Sequence, residues 1–505
     1  AVVVCVVYEF RGIPMMAPDI LTVQTATSVM GNYTFKLTFE QYSVILVCMA
    51  FFFTFLRLHE VKVTEKRVFH IAGFIVVALG CGLFTNQIIL SDFMEEHQIN
   101  IRMFRPMESY QKYGGVLTFA RSVGYAVVKK PEGYTTAKVD QIIQEYEKKS
   151  ANEQQSTAKQ YPNIITVVNE TFADIKVLGD FKTNEDYMPY FHSLKKNCVT
   201  GYTYASIVGG QTANTEFELL TGNTLGFLSA GTTAFQLYIH GQMPSLVSNL
   251  KAEGYSGNKA MHPFNPYNYN RPAVYKDFGF TDFIDKFDFP KNVKRVREYI
   301  SDEANVDRII SEYEKNRKKT DQPFYMYNMT IQNHSPYDKD AANFKQPIKI
   351  ESSKYDAEAN RYLNLIKYSD DSLKQLTGYF EKCKEPTIIL FLGDHQPRLT
   401  DEFMNKITNG QYQTWSSEQM MKRYQVPFVI WANYDIKEQH IEKTSMNYIQ
   451  SILTQTAGVK MTGYQRFLNE VRKEVPTITS QGYWGKNGKF YQINDKGSPY
   501  YGIIQ

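Results

Sequence analysis

Cysteine is scarce, with five in 505 residues. They stand at positions 5, 48, 81, 198 and 383, the first three inside apolar runs. None has Cys-x-x-Cys spacing, which excludes a zinc knuckle and a thiol redox pair. Cys198 and Cys383 are left as an extracellular pair or as two unpaired small residues. A strong charge of either sign is also missing: the formal net charge is +4, too small over this length to point to a nucleic-acid partner. No internal repeat or low-complexity tract occurs, which leaves no tandem-array architecture to consider. What the chain has is length, more than one ordinary domain needs, and an aromatic content of 14% beside an ordinary apolar fraction of 43%.

Apolar sequence concentrates near the beginning. Ala1 to Val7 is apolar without a basic leader, and reads as the tail of a membrane helix rather than a signal peptide. Residues 41–58 reach about the minimum for crossing a bilayer, and 68–90 form a second candidate span. Between them lie Arg57, His59, Lys62, Lys66 and Arg67 against Glu60 and Glu65, a basic excess in a short loop. The positive-inside rule makes that loop cytoplasmic and everything after Leu90 external. Residues 1–90 are therefore expected to be a membrane region, and the polar stretch 91–160 an extracellular helical stalk or linker.

From Tyr161 the pattern changes to apolar strands that end in polar or charged residues. Asn163 to Val168 runs into Glu170, Phe324 to Met329 into His334, and Thr387 to Leu392 into Asp394 and His395; Pro427 to Ala432 is a fourth strand. Helical spacing of Leu and Ile lies between them, as from Ala357 to Cys383. Strands without polar alternation, separated by helices, predict a layered α/β domain over 161–458, with a C-terminal subdomain or tail over 459–505. Ligands in such sheets sit at the carboxyl ends of strands, where the Glu, the His and the Asp-His pair fall.

The stretch from Gly209 to Gly222 reads as a glycine turn that delivers a threonine to the start of a short helix. Thr215 and Glu218 have capping-box spacing, and a helix start favours an anion such as phosphate. Glu170, Asp394 and His395, with Thr212 joining from the helix, offer three oxygens and one imidazole nitrogen, a set suited to Mn²⁺ or Zn²⁺ and less to Mg²⁺. A metal on a threonine oxygen lowers its pKa and turns it into a nucleophile. His334 is a candidate for protonating a leaving oxygen or holding phosphate, and Arg271 for neutralising phosphoryl charge. Each also has a plain structural role open to it: Thr212 and Glu170 as helix caps, Asp394 and His334 as turn residues, Arg271 as a surface charge. The recurrence of strand followed by ligand at three distant places favours a site.

Asn163 to Glu170, Gly210-Gln-Thr-Ala-Asn-Thr-Glu-Phe217, His262-Pro-Phe-Asn-Pro-Tyr-Asn-Tyr-Asn-Arg271, Asn333-His-Ser-Pro336 and Gly393-Asp-His-Gln-Pro-Arg398 resemble the lipoteichoic acid synthase family, as do Phe10 to Pro14 and Asp19 to Leu21. The family comprises membrane-anchored phosphoglycerol transferases of Gram-positive bacteria. The resemblance implies a sulfatase-like extracellular α/β domain, its mixed central sheet flanked by helices and preceded by transmembrane helices. It also implies a Mn²⁺ site made by Glu170, Thr212, Asp394 and His395, with Thr212 as nucleophile and His262, Tyr269, Arg271 and His334 around the glycerophosphate. Phosphatidylglycerol would donate glycerol phosphate to Thr212 and release diacylglycerol; a glycerol-phosphate chain or cell-wall glycan would accept it. Tyr269 replaces the tryptophan of well-known members, and the serine they place shortly after Asp-His is missing here. A phosphoethanolamine transferase would share the fold, with more histidines at the metal and paired cysteines expected. An inactive membrane-tethered binding protein is the other alternative. A sulfatase is disfavoured, since no Cys-x-Pro-x-Arg occurs to supply a formylglycine.

Overall fold

Both apolar runs near the N-terminus are helical: Phe39–Leu58 (α1) and Arg67–Phe84 (α2), the latter continued by a π-turn over Thr85–Leu90. The computed structural model describes residues 15–17, 39–58, 67–91, 93–97, 99, 106–124, 130–131, 133–152, 161–228, 232–239, 241–351 and 357–504. Phe51 and Phe55 on α1 and Phe74 and Val76 on α2 are all exposed, an apolar surface that water does not favour. Among the described residues one helix, Ile71–Ile89, is long and apolar enough to cross a bilayer, with mean hydropathy 1.8; the apolar part of the other is only Ile45–Arg57. Of the two expected spans, one has a helix with the length and composition to cross a bilayer, and the other falls short because polar residues at the start of α1 shorten its apolar run. The basic loop residues His59 to Lys66, and the resemblances at Phe10 to Pro14 and Asp19 to Leu21, lie outside the described residues.

The chain divides into two compact units, residues 1–129 with 228–232, and 130–227 with 233–505. In the first, Arg121 is buried and donates to the Ile89 carbonyl at 2.5 Å, while Ser122 accepts from the Ala17 amide at 2.8 Å.

The second unit is built on an eight-stranded sheet. Its strands are Asn163–Asn169 (β1), Cys198–Tyr204 (β2), Ser256–Met261 (β3), Asp282–Ile284 (β4), Phe324–Met329 (β5), Thr387–Gly393 (β6), Gln425–Ala432 (β7) and Gln439–Ser445 (β8), in the order β8-β2-β7-β6-β1-β5-β3-β4. β7 runs antiparallel to both neighbours and all other pairs are parallel, so the sheet is mixed. β1, β5 and β6 are buried along their whole length, which is why they read as continuous apolar runs. The register aligns the strand ends: Val168 lies opposite both Met329 and Leu392, and Asn169 opposite Gly393, so three carboxyl ends finish level.

The flanking helices are Thr136–Asn152 (α3), Thr212–Thr221 (α4), Arg271–Phe278 (α5), Asp302–Arg317 (α6), Ala357–Phe380 (α7), Met446–Thr456 (α8) and Gly463–Glu474 (α9). α7 buries Tyr362, Ile366, Leu373 and Phe380 in one core with Ile165 and Val167 of β1 and Ile309 and Tyr313 of α6. α4 packs on α8, α8 on α9, and α9 on α3. The segment read as stalk therefore contributes a helix to the same unit as the sheet. Cys198 and Cys383 are both free thiols.

Candidate active site

Three successive positive φ angles, at Gly209 (69°), Gly210 (147°) and Gln211 (64°), turn the chain sharply into α4. Glycine adopts such angles without a Cβ penalty, and the turn leaves Thr212 as the first helical residue. Its hydroxyl is 3.4 Å from Glu170 Oε2. Glu170 follows β1 directly and accepts from the Thr171 hydroxyl at 2.7 Å. Thr171, held at φ 54°, gives its amide to Asp394 Oδ1 at 2.6 Å, as His395 does at 2.7 Å. These bonds stitch the ends of β1 and β6 together. Gly393 makes that approach possible, since a Cβ there would lie 1.8 Å from the Phe172 carbonyl oxygen.

Glu170, Asp394 and His395 offer ligand atoms within 4.8 Å of one another, all buried. Burial pushes the Glu170 carboxyl up, with the neighbouring Asp394 adding to the shift, and pushes Asp394 up to about 7. Burial likewise lowers His395. Among the described residues Asp394 Oδ2 and His395 Nε2 have no hydrogen-bond partner, although they are 3.3 Å apart. His395 Nδ1 lies 2.9 Å from the Gln396 carbonyl, so Nδ1 carries the proton and the Nε2 lone pair faces the carboxylates. Two orphaned buried donor atoms beside a second carboxylate are what a divalent cation satisfies. The residues fit a metal.

The other predicted residues form a second cluster in the same unit. His262 is buried, its Nδ1 3.0 Å from the Met329 carbonyl; burial, then the charge of Arg271, hold it well below the usual histidine range. His334 follows β5 and its Nδ1 is 2.7 Å from the Ser335 carbonyl. Phe264 links the two, with ring centroids 6.1 Å from His262 and 6.4 Å from His334. Arg271, at the start of α5, is buried rather than exposed, and its guanidinium lies 5.1 Å from the Tyr269 ring centroid. Tyr269 has φ 59°.

Two features were not legible from motif spacing. Thr215 does not cap α4: it is the fourth residue of that helix, and its hydroxyl donates to the Asp394 carbonyl at 2.8 Å. Glu218, the other half of the expected capping box, is buried and accepts from Ser206 Oγ at 2.7 Å and the Leu225 amide at 2.9 Å. Glu216, one turn after Thr212, holds Arg271 in a fork, accepting Nε at 3.1 Å and Nη2 at 2.6 Å on Oε1. Its Oε2 accepts the hydroxyls of Tyr275 and Tyr327, the second at 3.2 Å. A glutamate between Thr215 and Phe217, on a helix buried on all sides, was the available signal.

The sulfatase family profile matches residues 162–459, which contain both clusters. The chain belongs to the sulfatase family. A protein of Rhizobium meliloti (strain 1021) named for cyclic β-1,2-glucan modification is 31% identical over 395 residues, which are 77% of this chain and 59% of that protein. A lipoteichoic acid synthase of Staphylococcus saprophyticus is 23% identical over 374 residues, 71% of this chain and 55% of that one. The chain thus spans under two thirds of the length of these relatives. Among solved structures, the Streptococcus pyogenes phosphoglycerol transferase GacH, in complex with sn-glycerol-1-phosphate, superposes with a TM-score of 0.58 at 20% identity, over 75% of this chain and 92% of that one. This sulfatase-family domain carries threonine, not cysteine, at the turn into α4.

Proposed function

We propose that this protein is a membrane-anchored phosphoglycerol transferase whose catalytic domain lies outside the cell. It takes glycerol phosphate from phosphatidylglycerol onto Thr212, releases diacylglycerol, and passes the group to a hydroxyl of a glycerol-phosphate chain or a glycan. The observation that carries this reading is Thr212 at a helix start, 3.4 Å from Glu170, beside two orphaned ligand atoms. Relatives named lipoteichoic acid synthase support the transferred group, and the Rhizobium relative supports a glycan acceptor.

Mn²⁺ held by Glu170, Thr212, Asp394 and His395 would supply Lewis acidity at the threonine oxygen and the phosphoryl group. The Thr212 hydroxyl proton is directed at Glu170; as its oxygen bonds phosphorus, the bond to the diacylglycerol oxygen breaks and that oxygen takes a proton from His334. The second half reverses the roles: the acceptor hydroxyl yields its proton to His334, its oxygen bonds phosphorus, and Thr212 leaves and recovers its proton from Glu170. Arg271 gives two of its nitrogens to Glu216, and turns its remaining terminal nitrogen to a phosphoryl oxygen. His262, neutral with its proton on Nδ1, offers the Nε2 lone pair to a glycerol hydroxyl. The free Cys198 and Cys383 and a single histidine among the metal ligands favour this reading over a phosphoethanolamine transferase.

The test is diacylglycerol release from phosphatidylglycerol vesicles with Mn²⁺ present. Thr212→Ala is expected to abolish turnover while its melting temperature stays near that of the wild type. A variant that still releases diacylglycerol at near the wild-type rate overturns the mechanism.

A further inference from the structure

A cavity of about 400 Å³ opens beside the second cluster, walled by Phe264, Lys286, Phe287, Arg295, Glu298 and Tyr299. No step described above uses it, yet it shares a wall with one. The Phe264 ring lies 6.4 Å from His334 at 21°, near parallel, and the Tyr299 ring lies 5.8 Å from it on centroids, its hydroxyl 3.4 Å from His334 Nδ1. Arg297 holds this wall still, donating to the carbonyls of Gln332 at 2.8 Å and His334 at 2.7 Å, with its guanidinium 5.2 Å from the Tyr299 ring centroid. Whatever fills the cavity rests on two rings, Phe264 and Tyr299, that pack against the residue that takes up the acceptor's proton.

The lining selects among occupants. Phe287 is 72% exposed, and Lys286 Nζ stands 4.9 Å from its ring centroid and 5.9 Å from that of Phe264. Arg295 donates to the Glu298 carbonyl at 2.8 Å. Aromatic faces with donors and acceptors of both signs suit a ligand that is apolar on its ring faces and hydroxylated at its edges. A polyanion meets the Glu298 carboxylate and approaches Asp285 and Asp288, which flank Lys286 and Phe287 in the chain, and an acyl chain meets Lys286 and Arg295 without pairing them. We propose that this cavity is the acceptor subsite and that it binds a neutral saccharide of the acceptor glycan, resting a sugar on Phe264, Tyr299 and Phe287 so that a hydroxyl reaches His334. The inference rests on the transferase reading above and adds the class of acceptor and the place where it binds.

The experiment titrates a β-1,2-linked glucooligosaccharide into the full chain by calorimetry and, separately, measures diacylglycerol release by the wild type without acceptor. Phe287→Ala and Lys286→Ala change exposed or half-exposed side chains, and their melting temperatures certify folding. The expected result is saccharide binding by the wild type that weakens at least tenfold in each variant. Variants that bind the saccharide as the wild type does overturn the subsite. So does a wild type that binds a glycerol-phosphate oligomer or phosphatidylglycerol vesicles through these residues while ignoring the saccharide. Absence of diacylglycerol release by the wild type overturns the transferase reading instead, and saccharide binding through Phe287 distinguishes that failure from this one.

Discussion

Glu216 and Arg271 are both buried to within 2% of side-chain exposure, and neither can be changed without stranding the other. Removing one partner of a buried charge pair costs about 3–5 kcal/mol, so Glu216→Ala should lower the melting temperature sharply. Glu216→Gln keeps the shape and one acceptor oxygen but loses the fork's charge. It is expected to fold while its KM for phosphatidylglycerol rises about tenfold, consistent with a loss of about 1.4 kcal/mol, with kcat less affected; Glu216→Asp should recover part of the loss. A purely structural Glu216 would change stability and leave KM alone. Thr215 is a second case. Thr215→Val removes the donor to the Asp394 carbonyl, an unsatisfied buried acceptor worth about 1–3 kcal/mol, and the expected readout is a lower melting temperature together with weaker Mn²⁺ binding.

At the scale of elements, the loop after β1 is tied down by the short helix Pro189–Ser193. His192 reaches Asp174 at 3.8 Å and Asp186 at 2.7 Å. Asp174, and then Asp186, raise the imidazole to about 9 against the opposing effect of burial. A raised histidine pKa gives stability that is complete below the unfolded value of about 6.5 and lost as pH rises through the folded value. Stability should therefore decline between about pH 6.5 and 9, and His192→Gln should flatten that part of the profile of melting temperature against pH. Because the pair is partly exposed, the increment is small. Where β6 ends, Gly393→Ala forces Phe172 and its neighbours apart. Loss of diacylglycerol release larger than the loss of stability is the expected result, because the ligand-bearing strand end moves.

For the whole molecule, a cation held as proposed by Glu170, Thr212, Asp394 and His395 would link the strand ends to α4, so it should act on global stability. A ligand at a hundred times its Kd stabilises by about 2.7 kcal/mol, and Mn²⁺ is expected to raise the melting temperature and a chelator to lower it. Asp394→Asn and His395→Ala should each remove that response. Orientation across the membrane is a separate proposal. An impermeant thiol reagent on intact cells should modify a cysteine placed at the exposed Lys138 and spare one placed at Lys62; the reverse pattern overturns an external catalytic domain.

The strands that carry the site, and the chemical types of the candidate metal ligands at their ends, can be read from the amino-acid order alone. β1, β5 and β6 are buried on both faces, so burial wrote itself as unbroken apolar runs, and each ligand stands within a few residues of a strand's end. Level strand ends then bring Glu170, Asp394 and His395 together. Which partner each buried polar group has depends on the packing of distant elements. Glu216 finds Arg271 across 55 positions and Thr215 finds Asp394 across 179, and the helix α3, polar enough to read as a linker, packs on α9. Periodicity reports whether a side chain leaves water, a property of its own element. Which charge or hydroxyl meets it inside depends on how distant elements pack, and that is written in no local pattern.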